Sequence, residues 1–116
     1  MAYVLGLDLG TSSLKGLLMN EKGESCGTAT ADYPLLHPAS GYSEQDPAEW
    51  IRACEIVFET LKAAVPDFTE ELQGISFSGQ MHSLVVLNDE QEVLRPAILW
   101  NDVRTSAQCA KIMATF

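Results

Sequence analysis

Three short stretches hold side chains that could do chemistry together. The first is Gly6-Leu-Asp8-Leu-Gly10-Thr11-Ser12-Ser13-Leu-Lys15. Gly10 has no side chain, so a ligand can approach the backbone closely there. Thr11, Ser12 and Ser13 add hydroxyls and backbone N–H groups in a tight turn, a combination that can cradle phosphate oxygens. Asp8 could hold a hydrated Mg²⁺, an ion that keeps its waters and takes one or two carboxylates plus phosphate oxygens. Lys15 would supply a point charge. This is not a Walker A loop, because the Gly-Lys-Ser/Thr ending is absent. The competing reading is an ordinary hairpin whose turn happens to be Gly-Thr-Ser-Ser.

The other two stretches are Gly79-Gln80-Met81-His82 and Trp100-Asn101-Asp102. A sugar needs directional donors and acceptors for its hydroxyls and an apolar surface for its C–H face. Gln80 and His82 offer the first, Met81 and Trp100 the second. Each residue also has a plainer job open to it. His82 can make a structural hydrogen bond, Trp100 can be core, and Asn101 and Asp102 can cap a helix.

These groups need elements to position them. Residues 3–9 are predicted as a strand, apolar enough at Tyr3, Val4, Leu5, Leu7 and Leu9 to be covered on both faces. Residues 14–19 form its hairpin partner. Asn20 to Gly23 is a turn, and residues 24–33 make a third antiparallel strand. Residues 34–47 are irregular, with Ser43-Glu44-Gln45-Asp46 read as exposed. Asp46-Pro47 reads as an N-cap followed by proline at the first helical position, with ligand contact the alternative for Asp46. A helix follows over 47–65. Trp50, Ile51, Cys54, Val57, Phe58, Leu61 and Val65 form its apolar stripe. Pro66 stops it, and an acidic connector covers 67–71.

Strands are predicted within 72–87: one over 72–78, parallel to the first because a helical crossover separates them, and one over 83–87. A turn at 88–91, a short strand at 92–95, an extended stretch at 97–100 and a helix over 103–115 complete the chain. Ligands of open α/β sheets bind beyond the carboxyl ends of the strands. Asp8 and the Gly79–His82 stretch are therefore expected on one edge of the sheet.

Composition narrows the partners. Seven Lys and Arg against 16 Asp and Glu give a net charge of −9, which disfavours nucleic acid and anionic membrane. Cys26, Cys54 and Cys109 are widely spaced, so neither a zinc site nor a disulfide scaffold is indicated. No signal peptide or membrane-spanning stretch is read, and the expected location is cytoplasmic. At 116 residues and 47% hydrophobic, one domain with a modest core is expected.

The first stretch resembles the first phosphate motif of the superfamily of sugar kinases, actin and heat-shock ATPases. Ser43-Glu-Gln-Asp-Pro47, Gly79-Gln-Met-His82 and Trp100-Asn-Asp102, in this order, resemble the FGGY carbohydrate kinases and, within them, those acting on xylulose. The resemblance implies an α/β fold with a ribonuclease H-like mixed sheet and flanking helices, the N-terminal part of a two-domain sugar kinase. It implies ATP and Mg²⁺ as cofactors and D-xylulose as substrate. Asp8 would then hold the metal, and Gly10, Thr11, Ser12, Ser13 and Lys15 the nucleotide phosphates. Gln80, Met81, His82, Trp100, Asn101 and Asp102 would line the sugar site, with Arg104 helping to orient the substrate.

The family's general-base aspartate lies in a Gly-rich segment past residue 116. The chain alone is therefore expected to lack kinase activity, and to expose apolar surface that favours a homo-oligomer. Kinases for other pentuloses or polyols, of the ribulose or gluconate type, share the scaffold. A sugar-binding or assembly module without chemistry is the rival from another class. An actin-like or chaperone ATPase would explain the first hairpin but not Gly79-Gln-Met-His82.

Overall fold

The computed structural model describes all residues, 1–116. β1 (Tyr3–Leu9) and β2 (Ser13–Asn20) form the hairpin, with Asp8 opposite Lys15 and Leu9 opposite Leu14. β3 (Ser25–Asp32) continues the antiparallel run on the far edge of β2. The chain later forms α1 (Pro47–Ala64) and then β5 (Leu72–Gly79), which pairs parallel with β1. The sheet order is β3-β2-β1-β5. Two further short strands, β4 (Glu44–Gln45) and β6 (Ala97–Ile98), pair antiparallel with each other. α2 (Ser106–Thr115) ends the chain.

The chain divides into two compact units. The first holds residues 1–34 and 48–80, the second residues 35–47 and 81–116.

In the first unit one sheet face is packed and the other is open. Leu5 and Leu7 of β1, Leu14 and Leu18 of β2, and Ala29 and Ala31 of β3 are buried together with Ala53, Val57 and Leu61 of α1. The three helix positions are four residues apart, the spacing that puts one helix stripe on a sheet. A buried Leu or Val contributes roughly 1.5–3 kcal/mol, so this layer dominates the unit's stability. Ile51, assigned to the same stripe from the sequence, is exposed instead. At 100° per residue it sits about a third of a turn round the helix from Val57. Phe68, inside what reads as an acidic connector, is fully buried and packs on Phe58 with ring centroids 6.0 Å apart.

Within this chain β1 is covered on one face only. Val4, Gly6 and Asp8 point to the open face, as do Leu17 of β2 and Ser76 of β5. Ile75 and Phe77 of β5 are also exposed, because β5 is the edge strand of this sheet. An all-apolar strand pattern cannot by itself say how many layers cover it.

The second unit contradicts the sequence reading at several points. Ser43, Glu44 and Gln45 are buried, not exposed. Residues 83–87 are not a strand. Single bridges, Leu84 with Ile98 and Leu87 with Val93, replace it and the short strand at 92–95. The turn between them closes through Asn88, whose Oδ1 accepts from the N–H groups of Glu90 and Glu92. α2 begins at Ser106 and not at 103, and Thr105 makes no side-chain cap. No residue of α2 is buried.

Helix and sheet fit closely at Gly16. A Cβ there would stand 2.5 Å from Val57 Cγ1. Val57 is fully buried and its branched side chain has little freedom to move aside. Gly16→Ala is therefore expected to destabilise the chain by about 1–3 kcal/mol through overpacking. Urea unfolding measures it, and a variant as stable as the parent would show that α1 is free to shift away from β2.

Candidate functional site

In the first unit the phosphate-type residues cluster where β1 ends. Asp8 lies on the open face in one row with Lys15 of β2, Thr30 of β3 and Ser78 of β5, as the strand registers dictate. With Gly6, Leu17, Thr28, Ser76 and Phe77 these residues line a hollow of about 460 Å³. The turn after β1 is closed by the Gly10 N–H donating to the Ser13 carbonyl at 2.9 Å. The sheet also brings Gly79 and Gln80 to this edge. Leu9 pairs with Gly79, and the Gln80 N–H donates to the Leu9 carbonyl at 2.9 Å. A Cβ on Gly79 would lie 3.1 Å from that carbonyl oxygen, so a larger residue there would press the two strand ends slightly apart.

These residues fit a Mg²⁺-bound polyphosphate. Asp8 is an exposed single carboxylate beside an open turn, and no group of three or more His, Cys, Asp or Glu side chains gathers anywhere in the chain. That donor set suits a metal that keeps its waters and arrives with phosphate, not one caged by protein.

In the second unit, Met81 and His82 are exposed. His82 has φ of 58°, the left-handed region that a side chain adopts only at a cost. The Leu84–Ile98 bridge lies two residues after His82 and two residues before Trp100. Trp100 is 55% exposed, which removes the core reading of it. Asn101 Oδ1 is buried and has no hydrogen-bond partner. A buried acceptor without a donor is uncommon and calls for an explanation such as a ligand.

Asp102 departs from the sequence reading. Its side chain is 2% exposed, and its carboxylate is occupied from all sides. It accepts from the Ser43 N–H at 2.8 Å, from the Arg104 N–H at 2.9 Å and from the Arg104 guanidinium, including Nη2 at 2.6 Å. Arg104 Nη2 also reaches Glu44 at 2.5 Å, and Arg95 pairs with the same Glu44 oxygen at 2.6 Å. The Arg104 guanidinium carbon stands 3.8 Å from the centre of the Tyr42 ring, inside cation–π range. The Asp102 carboxylate and the Arg104 guanidinium are therefore both engaged within the protein. Their task is to hold the turn that carries Trp100 and Asn101. Glu44 and Arg95 were missed as partners. The two Arg residues of residues 95–104 and the Glu of residues 43–46 were visible, but their pairing is set by folding.

Residues 3–115 match the N-terminal domain of the FGGY family of carbohydrate kinases. The chain belongs to that family. This FGGY chain is 59% identical to the xylulose kinase of Lactococcus lactis over 112 residues, which is 97% of the chain and 22% of that relative. It is 43% identical to the xylulose kinase of Bacillus subtilis, over its whole length and 23% of the relative. The crystal structure of a xyloylose kinase from Brucella ovis superposes with a TM-score of 0.92 at 46% identity, covering 97% of this chain and 24% of that one. The mixed sheet is thus that of the FGGY sugar kinases, and the chain spans about a quarter or less of its relatives' length.

Hydrogen bonding to Arg104 holds the Asp102 and Glu44 carboxyls below the ordinary carboxylate range, and the same contacts push Arg104 up. A depressed carboxyl lends stability that is complete above its unfolded value of about 4 and is lost as pH falls toward the folded value. Glu44→Gln is expected to lower the melting temperature at neutral pH and to flatten its fall below about pH 4. Circular dichroism melts across that range measure both effects. An unchanged acid slope would mean that Glu44 ionisation is not linked to folding.

Proposed function

We propose that this chain is the N-terminal part of an ATP-dependent kinase that phosphorylates D-xylulose to D-xylulose 5-phosphate. The reading is carried by the meeting of the phosphate-type turn and Gln80 at the carboxyl ends of β1 and β5. The 59% identity to a xylulose kinase supports the choice of sugar.

Phosphoryl transfer is mainly positioning and charge neutralisation. When bound, Mg²⁺ offsets the phosphate charge, which matters in a chain of net charge −9. Asp8 would hold that ion through water. Gly10 lets the γ-phosphate approach the backbone, where Thr11, Ser12 and Ser13 donate N–H and hydroxyl groups. Lys15, in the same row as Asp8, adds a positive charge. Gln80 and His82 hydrogen-bond the sugar hydroxyls, Asn101 Oδ1 accepts from one, and Met81 and Trp100 pack against C–H faces. No residue here serves as the general base, a contribution of about a hundred- to ten-thousand-fold, so the chain by itself is expected to show no turnover.

A chimera tests this reading. The chain replaces the matching segment of the Lactococcus lactis relative, and a coupled assay follows ADP release with D-xylulose, D-ribulose and gluconate. The chimera should keep kcat/KM for D-xylulose within about tenfold of the parent, and His82→Ala should raise the KM for D-xylulose about tenfold. Preference for gluconate would favour the second reading, which rests on 32% identity to a gluconokinase of Bacillus subtilis. A well-folded chimera without activity on any of the three would sink the kinase reading.

The chain by itself should also form a homo-oligomer. It exposes Val4 and Leu17 on the open sheet face and Ile75 and Phe77 on the other face of the edge strand β5, apolar surface of the kind that drives association. Sedimentation velocity of the isolated chain decides this, and a monomer at high concentration would rule it out.

A further inference from the structure

Tyr33 lies just after β3, on the sheet face covered by α1, and is 5% exposed. Its position makes it the floor of the turn between β1 and β2. The Tyr33 hydroxyl donates to the Gly10 carbonyl and stands 3.0 Å from the Ser13 carbonyl. The Tyr33 backbone N–H donates to the Ser12 carbonyl at 3.1 Å. One residue therefore gathers three of the four carbonyl groups of Gly10–Ser13 on its own side.

That gathering has a consequence for the opposite side. In a planar trans peptide the carbonyl and the following N–H point in opposite directions. Drawing the Gly10 carbonyl toward Tyr33 turns the Thr11 N–H away from it. Drawing the Ser12 carbonyl toward Tyr33 does the same for the Ser13 N–H. We propose that Tyr33 is a positioning residue for the phosphate turn, anchoring its carbonyls from beneath so that the Thr11 and Ser13 amides are presented to a phosphate group. The proposal rests on the kinase reading only for the identity of the ligand; the anchoring is a property of this turn.

Burial pushes the Tyr33 hydroxyl up to about 12, with the Asp8 carboxylate adding to the effect. The group therefore remains a protonated donor across the working pH range, as an anchor for carbonyl oxygens requires. A phenylalanine would fill the same space in the core that Tyr33 shares with Leu14 and Ala31 but could hold neither carbonyl.

Tyr33→Phe separates anchoring from packing. In the isolated chain, amide hydrogen exchange followed by NMR should speed up about fivefold to tenfold at Thr11, Ser12 and Ser13, the scale of one lost hydrogen bond. The β1 and β5 ladder amides should keep their protection. In the chimera, the same substitution should raise the KM for MgATP or lower kcat by a similar factor, with the KM for D-xylulose unchanged. Exchange that stays slow in the turn, or that quickens equally across the whole sheet, would overturn the proposal. A locally loosened turn with unchanged MgATP kinetics would overturn it too. An inactive parent chimera would instead sink the kinase reading, and the exchange measurement would then decide the role of Tyr33.

Discussion

The two-sided pairing of β1 is the constraint on which the first unit depends. Its backbone groups pair antiparallel with β2 on one edge and parallel with β5 on the other. An antiparallel neighbour can follow through a tight turn, whereas a parallel one needs a crossover. The turn at Gly10–Ser13 and the crossover through α1 are the two answers to that requirement. Because β1 and β5 run the same way, their carboxyl ends coincide. Asp8, the turn and Gln80 therefore come to one edge although residues 8 and 80 are far apart in the chain.

The pleat then sorts chemistry from packing. Alternate residues of β1 and β2 face α1 and are buried, and the intervening ones, Asp8 and Lys15 among them, face the other way. Gly16 lets α1 sit close on the buried face, and Tyr33 reaches from that same face to the turn carbonyls. The polar groups offered to a ligand are thus held in place by contacts made on the opposite side of the sheet.

The second unit is organised differently. Its most buried side chains include Ser43, Glu44 and Gln45, and the carboxylates of Glu44 and Asp102 close on Arg104. A buried charge is costly unless its partners are complete, and here each carboxylate has several donors. The network ties residues 42–45 to the turn at 99–104. Trp100 and Asn101 lie in the turn that this network holds.

Much of this was legible in the sequence. The β1–β2 hairpin, the third antiparallel strand, α1 and the parallel β5 follow from apolar period, turn residues and the Asp46-Pro47 start, all of which are local signals. The Gly-Thr-Ser-Ser turn and the Gly79-Gln80-Met81-His82 stretch could be picked out by residue type and by likeness to a family. Only the tertiary structure decided the rest. It showed that within this chain one face of β1 is packed and the other open, that Ser43 to Gln45 are buried, that Asp102 pairs with Arg104, and that Tyr33 underlies the turn. These depend on partners 20 to 60 residues away, such as Tyr33 with Ser13 and Glu44 with Arg104. A chain read in order reports the preferences of each segment, but which charges and hydroxyls find one another is settled only when the packed segments bring them within a few ångströms.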